Sequence, residues 1–298
     1  MTPTNRLRAL LAQDQLIPMP CCGDALGAML IEQAGFPLGF MSGFAAAAHR
    51  LGGPDTGLMS YAEVLDQGRS ITDAVAIPVI GDGDTGYGNP LNVQRTLRGF
   101  AKAGFAGIMI EDQVAPKRCG HTRGKAVVER EEAYDRIRAA VEARAAGADL
   151  LIVARTDALA LIGLDEAIER ANHFRALGAD ILFIEAPTTT DQMVRICREA
   201  PGVHLANMLE GGATPILPPA ELAALGYRIA AYPLALLSAA MQAMVDALAA
   251  FRAGQHPQRL MEFAEVRRRL GFDAYDAAAR RFGPGGEARC ERSDDKRS

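Results

Sequence analysis

Eight short apolar runs, each closed by a polar or turn-forming residue and followed by a helix-like segment, constrain the fold of this chain more than any other feature. They are LIPMP (16–20), PLGFMSG (37–43), IPVIGDGD (77–84), AGIMIED (106–112), LLIVARTD (150–157), ILFIEAP (181–187), VHLANM (203–208) and RIAAYP (228–233). Between them lie segments such as EREEAYDRIRAAVEARAAGA and DEAIERANHFRALGA, with apolar residues at three- and four-residue spacing and a glycine placed to cap the helix end. Strands alternating with helices predict a parallel sheet with right-handed crossovers. Eight such units predict an α/β fold, a closed (β/α)8 TIM barrel rather than an open doubly wound sheet. No linker-like composition breaks the run, which predicts one domain over 1–283 that ends in a helical extension over 255–282. The polar segment 284–298 is expected to be disordered.

A net charge of −4 argues against a nucleic-acid surface, because phosphate-backbone binding needs a basic excess. Small molecules are the expected partners. The polar start, MTPTNRLRALLAQDQ, has no apolar core before a small-residue cleavage site, and the five cysteines show no framework spacing. Both features point to free thiols in a cytoplasmic protein and to no zinc site. One stretch, 229–251, resembles a membrane span in length, but Pro233 interrupts it and Gln242 and Asp246 lie within it. It is therefore expected to form a strand and then a helix over 234–251, apolar on nearly every face and buried on several sides, with an oligomer interface as one covering partner.

A barrel places its chemistry where the strands end. Here those ends carry Ser42, Asp82, Asp84, Glu111, Asp112, Arg155, Asp157, Glu185, Asn207 and Tyr232, all expected to face one mouth. GDGDTG (81–86) matches G-x-G-x-x-G after a strand. Two aspartates where a pyrophosphate would rest repel it, so a nucleotide site is rejected. With Glu111 from the next strand, Asp82 and Asp84 instead make a hard-oxygen site suited to Mg2+ or Mn2+, and the glycines are expected to let backbone and metal approach closely.

GDGDTGYGNPLNVQRT, IEDQVAPKRCGH, VARTDA, FIEAP and NMLEGGATP, in this order, resemble the isocitrate lyase and phosphoenolpyruvate mutase superfamily, in particular its short 2-methylisocitrate lyase and 2-alkylmalate lyase members. The likeness covers roughly residues 5–255. Lyases of this group carry KRCGH on a mobile gating loop, whereas phosphoenolpyruvate mutases lack its cysteine. The resemblance implies a homotetramer built from dimers that exchange their last barrel helix. It implies a metal sphere of Asp55, Asp82, Asp84 and Glu111, partly through water, with Ser42 and Gly43 holding the keto-acid end. Phe44 and Gly120 lie at the substrate, and Arg155, Glu185 and Asn207 are its ligands. Taken singly, Asp55 is an ordinary turn residue, Glu185 a buried partner of Arg155, and Asn207 a helix cap.

The implied chemistry is cleavage of the C2–C3 bond of a 2-hydroxy di- or tricarboxylate, chelated to Mg2+, into a 2-keto acid and a carboxylate. Cys119 is the candidate acid for the departing fragment, with Lys117, Arg118 and His121 tuning its thiol. Arg155 would clamp a substrate carboxylate. Alternatives are a Cys119–His121 nucleophile and base, a phosphonomutase, an oxaloacetate hydrolase, and a barrel that binds without turnover. SGF replaces the second glycine typical of 2-methylisocitrate lyases, so Phe44 is expected to reshape the pocket and favour a 2-alkylmalate-like dicarboxylate. Tyr61, Tyr87 and His49 receive no role.

Overall fold

Each apolar run forms a strand. In the computed structural model, which describes residues 1–118 and 124–282, these are β1 (Ile17–Cys22), β2 (Gly39–Met41), β3 (Val79–Asp82), β4 (Gly107–Glu111), β5 (Leu151–Thr156), β6 (Ile181–Ile184), β7 (His204–Asn207) and β8 (Tyr227–Tyr232). They pair in parallel and in chain order, and β8 pairs back onto β1, closing the barrel. β1 runs two residues past the predicted stretch, so Cys21 and Cys22 are strand residues beside Phe40 and Met41. Cys119, Gly120 and His121, and the disorder expected for 284–298, lie outside the described residues.

The chain divides into two units, Met1–Ala240 and Met241–Ser298. In the first, the helices are α1 (Pro3–Leu11), α2 (Ala25–Gln33), α3 (Gly43–Leu51), α4 (Tyr61–Asp73), α5 (Pro90–Lys102), α6 (Arg130–Ala145), α7 (Leu164–Leu177), α8 (Thr190–Glu199) and α9 (Pro219–Leu225). α10 (Ala235–Arg252) spans the division, and α11 (Phe263–Arg269) and α12 (Phe272–Phe282) complete the second unit. The boundaries follow local chemistry. Ser42, Ser60 and Asn89 accept backbone N–H bonds at the starts of α3, α4 and α5, the last two in capping boxes. Gly178 takes the left-handed conformation that ends α7, as its sequence implies. α6 is capped by Ala146, and its glycine follows one residue later.

Alternation along the strands builds two cores. Met19, Phe40, Ile80, Met109, Val153, Phe183, Leu205 and Ile229 fill the barrel interior, and Leu7 of α1 joins them. The opposite faces pack under the helices in a layer that includes Phe100, Phe105, Ile108, Ile110 and Ile152. Strands buried on both faces need continuous apolar runs, which is why the sequence showed runs rather than alternation.

α10 departs from expectation in one respect. It follows β8 as predicted, and it is long and apolar enough to cross a membrane by length and composition. Among the described residues of this one chain, however, only Leu237 is buried on it, while Met241, Met244, Val245, Leu248 and Phe251 are exposed. Among the described residues, burial of this helix on several sides is not met.

Candidate active site

The strand ends converge on a cavity of about 70 Å³ at the C-terminal mouth of the barrel, lined by Ser42, Phe44, Asp55, Asp82, Glu111, Lys117, Arg118, Arg155, Glu185 and Asn207. One water needs roughly 10–15 Å³ of such space, so the cavity suits a small acid rather than a nucleotide. Its floor is the apolar interior layer, including Cys21, Phe40, Met109, Phe183 and Leu205, and its rim adds Leu209, Pro233 and Leu234. Gly43 and Asp84 face a smaller adjoining space with Asp55, Asp82 and Tyr87.

Pleat geometry decides which neighbour faces inward. Glu111 and Arg155 are register partners on β4 and β5, both facing the cavity. Asp112, the next residue, turns outward instead and pairs with Arg170 at 3.0 Å, so its expected place in the mouth is corrected. Tyr232 is likewise displaced. It lines an apolar groove outside the barrel with Pro18, Pro20 and Leu30.

The four expected metal carboxylates are close together. Asp82 Oδ1 accepts from the backbone N–H of Asp84 at 3.0 Å, and its Oδ2 accepts from that of Gly43 at 3.2 Å. A Cβ on residue 43 would stand 2.7 Å from Asp82 Oδ2, so this approach requires glycine. The glycines of GDGDTG do other work than expected. Side chains at Gly81 and Gly83 would strike Phe100, Phe105, Ile108 and the Met109 carbonyl, so these glycines serve core and strand packing. Asp84 and Tyr87 hold positive φ angles of 48° and 61°, a conformation that aspartate tolerates better than tyrosine, and the Tyr87 hydroxyl donates to Asp84 Oδ2 at 3.0 Å.

Lys117 occupies the middle of this cluster. Its Nζ lies 2.6 Å from Asp55 Oδ1 and 2.8 Å from Asp84 Oδ1, and its side chain is 5% exposed. Burial alone would lower its pKa, but Asp84, Asp82 and Asp55 raise it well above the usual lysine value. Burial pushes the Asp82 carboxyl up to about 6, with Lys117 opposing and Asp84 reinforcing. Burial also raises Glu111 well above the carboxylate range, against the pull of Arg155. Among the described residues, no three carboxylate, imidazole or thiolate groups converge as direct ligands of one ion. The donor set still fits a hard divalent cation: four carboxylates share Lys117 and part of Arg155, and Glu111 Oε1 is buried without a hydrogen bond.

Arg155 is encircled. Its Nε donates to Asp157 Oδ2 at 2.8 Å, its Nη2 approaches Glu185 Oε2 at 3.1 Å, and Nε lies 3.3 Å from Glu111 Oε2. Glu185 is thus the buried partner of Arg155 while still lining the cavity. Asn207 Nδ2 donates to Glu185 Oε1 at 3.3 Å rather than capping a helix. Ser42 lines the cavity and caps α3 at once. Sequence reasoning gave no role to Lys125, whose Nζ donates to Asp157 at 2.6 Å, or to Tyr87. Gln113 exchanges two 2.9 Å hydrogen bonds with the Arg118 backbone, fixing the chain just before Cys119.

Residues 7–252 match the family described as phosphoenolpyruvate phosphomutase. The chain belongs to this family. A 2,3-dimethylmalate lyase of Eubacterium barkeri is 46% identical over 246 residues, 83% of this chain and 85% of that protein. A chloroplastic carboxyvinyl-carboxyphosphonate phosphorylmutase of Arabidopsis thaliana is 39% identical over 92% and 84% of the two chains. A 2-methylisocitrate lyase of Shewanella oneidensis is 38% identical over 91% and 94%. Among solved structures, an oxaloacetate acetylhydrolase in complex with the inhibitor 3,3-difluorooxalacetate superposes with a TM-score of 0.90 at 35% identity, over 96% of this chain and 98% of that one. A phosphonopyruvate hydrolase in complex with oxalate and Mg2+ gives 0.84 at 31% identity, over 95% and 99%. As a phosphoenolpyruvate phosphomutase family member, the protein is an enzyme, a carbon–carbon lyase of the phosphoenolpyruvate mutase/isocitrate lyase superfamily.

Proposed function

We propose that this enzyme cleaves the C2–C3 bond of a 2-hydroxy dicarboxylate of the 2-alkylmalate class, releasing a 2-keto acid such as pyruvate and a carboxylate. The observation that carries the reading is one small cavity lined together by carboxylates, by Arg155 and by the apolar side chains of Phe44, Leu209 and Leu234. Asp82, with Asp55, Asp84 and Glu111, would hold Mg2+ or Mn2+, which supplies charge that makes the substrate hydroxyl more acidic.

Arg155 and Asn207 bind substrate oxygens, Ser42 and Gly43 hold the keto-acid end, and Glu185 orients Arg155. Gly120, next to Cys119 in the chain, is assigned to the substrate as well. The hydroxyl proton passes to a carboxylate of the cluster, the C2–C3 bond breaks, and its electron pair stays on C3 as a carboxylate enolate. Cys119 gives that carbon a proton. Lys117 and Arg118, which line the cavity, immediately precede Cys119 in the chain, and His121 follows it. A thiol there has cationic neighbours that favour its deprotonated form after the transfer. The exposed apolar face of α10 is the surface we assign to contact with other subunits in a homotetramer, and the cytoplasm remains the expected location.

Hydrolysis of oxaloacetate is the second reading. It is favoured by the close superposition on oxaloacetate acetylhydrolase, and it needs the same bond cleavage. The test is a coupled pyruvate assay with Mg2+ on 2,3-dimethylmalate and 2-methylisocitrate, alongside loss of oxaloacetate absorbance. Pyruvate from the alkylmalate supports the first reading and oxaloacetate loss alone the second. Silence on all three, with phosphonate turnover seen by phosphorus NMR, would replace both.

A further inference from the structure

Arg155 is tied into a buried chain of alternating charges that the proposed chemistry does not use. Asp157 is fully buried, and it accepts from Arg155 Nε at 2.8 Å and from Arg155 Nη2 at 3.2 Å. The same carboxylate accepts from Lys125 Nζ at 2.6 Å, and the Lys125 side chain is 4% exposed. Its backbone is fixed as well, because the Asp157 N–H donates to Asp112 Oδ1 at 2.9 Å. Asp112 is held in turn by Thr156 at 2.6 Å and by Arg170 at 3.0 Å. Asp157 is therefore held through both its backbone and its carboxylate, and its charge is shared between two cations.

We infer that Lys125 is a positioning residue that keeps the Arg155 charge available to the substrate carboxylate. The inference rests on the assignment of Arg155 as a substrate ligand. The physical reason is competition for Asp157. In a low-dielectric interior, a carboxylate with one cationic partner draws that partner fully onto itself. With Asp157, Glu185 and Glu111 around it, Arg155 alone faces three carboxylates, and an incoming anion would meet a guanidinium already more than neutralised. Lys125 takes up much of the charge of Asp157. It thereby reduces the negative charge that Arg155 must balance, without itself lining the cavity. A lysine suits the task, since a compact ammonium supplies charge from one side and leaves the planar fork of Arg155 oriented by Asp157.

The experiment is calorimetric binding of oxalate to the Mg2+-loaded enzyme, with the binding of Mg2+ alone and the melting temperature measured for every variant. Lys125→Met should weaken oxalate about tenfold, as loss of a partner behind a ligand commonly does, while the Mg2+ affinity stays at the wild-type value. Lys125→Gln keeps a donor toward Asp157 without the charge and should weaken oxalate comparably; Lys125→Arg should restore it. In turnover, the neutral variants should raise KM more than they lower kcat. Oxalate affinities equal to wild type in both neutral variants would overturn the inference, whatever their melting temperatures. Failure of oxalate to bind the wild-type enzyme with Mg2+ would instead count against the proposed site itself.

Discussion

Nζ of Lys117 sits 2.6 Å from Oδ1 of Asp55, joining a buried and a partly buried side chain 62 positions apart in the chain. Asp84 shares the same ammonium at 2.8 Å. Removing the lysine would leave neighbouring carboxylates buried without their shared cation. The expected cost of Lys117→Met in metal-free protein is about 3 kcal/mol, toward the lower end for breaking a buried pair because Asp55 is already biased toward its neutral form by burial. Urea denaturation in chelator measures it. Added Mg2+ should stabilise the variant more than the wild type, because a divalent ion supplies the missing charge; equal stabilisation would argue against a cation site there.

Cys119 can be tested separately from binding. Cys119→Ala should lower kcat by about 10²–10⁴, the usual contribution of a positioned proton donor, with oxalate affinity unchanged. Full turnover in the alanine variant would remove the thiol from the mechanism.

Arg155 combines geometry with charge, so Arg155→Lys should not preserve function. A lysine cannot bridge Asp157 and Glu185 while presenting a planar fork to the substrate. The expected loss in kcat/KM is on the order of a hundredfold, mainly through KM. Steady-state kinetics on the best substrate from the pyruvate assay decides the point, and a kcat effect with KM unmoved would assign Arg155 to the chemical step instead.

Much of this site was legible in the sequence because strand-end residues in a barrel share one mouth. Eight apolar runs gave the strands, and the polar residue closing most of them gave Ser42, Asp82, Glu111, Arg155, Glu185 and Asn207. What a run cannot show is which of two adjacent polar residues the pleat turns inward. Glu111 enters the cavity and Asp112 leaves it, a distinction that depends on register. Lys125 and Asp157 lie 32 positions apart and meet only when β4 and β5 pair, so no local pattern announces them. The glycines of GDGDTG misled for a related reason. A glycine facing Phe100 and one facing a bound ion look alike in sequence, and among the described glycines it is Gly43, outside this motif, that borders the carboxylates of the cluster.

His204 should set an acid limit on stability. Its Nε2 donates to the Ala200 carbonyl at 2.5 Å, and Nδ1 is buried without a partner. Burial lowers its pKa below the usual 6.5. Below that value the unfolded chain takes up a proton that the folded chain resists, so stability present at neutral pH is lost as pH falls below about 6.5 toward the lowered folded-state value. His204→Gln should flatten this part of the profile in urea melts run across that window. Parallel profiles for the two proteins would show that another group controls the acid limb.

Phe44 gives the sharpest test of substrate class. It lines the cavity from the first turn of α3, immediately after Gly43, whose position is fixed by contact with Asp82. The ring therefore cannot retreat by a backbone shift without disturbing the carboxylate cluster. The same cavity is lined by Leu209 and Leu234, which offer apolar surface rather than a charge. An alkyl substituent can pack against this lining, whereas a further carboxylate would be desolvated beside it. Phe44→Gly should enlarge the space without touching the polar side. It should shift the ratio of kcat/KM values for 2-methylisocitrate and 2,3-dimethylmalate toward the tricarboxylate by about tenfold, the scale on which apolar pocket contacts discriminate. Parallel kinetics on both substrates measure that ratio directly. A ratio that stays fixed while both activities fall would mean that Phe44 supports the fold of the site and that selectivity lies with other residues.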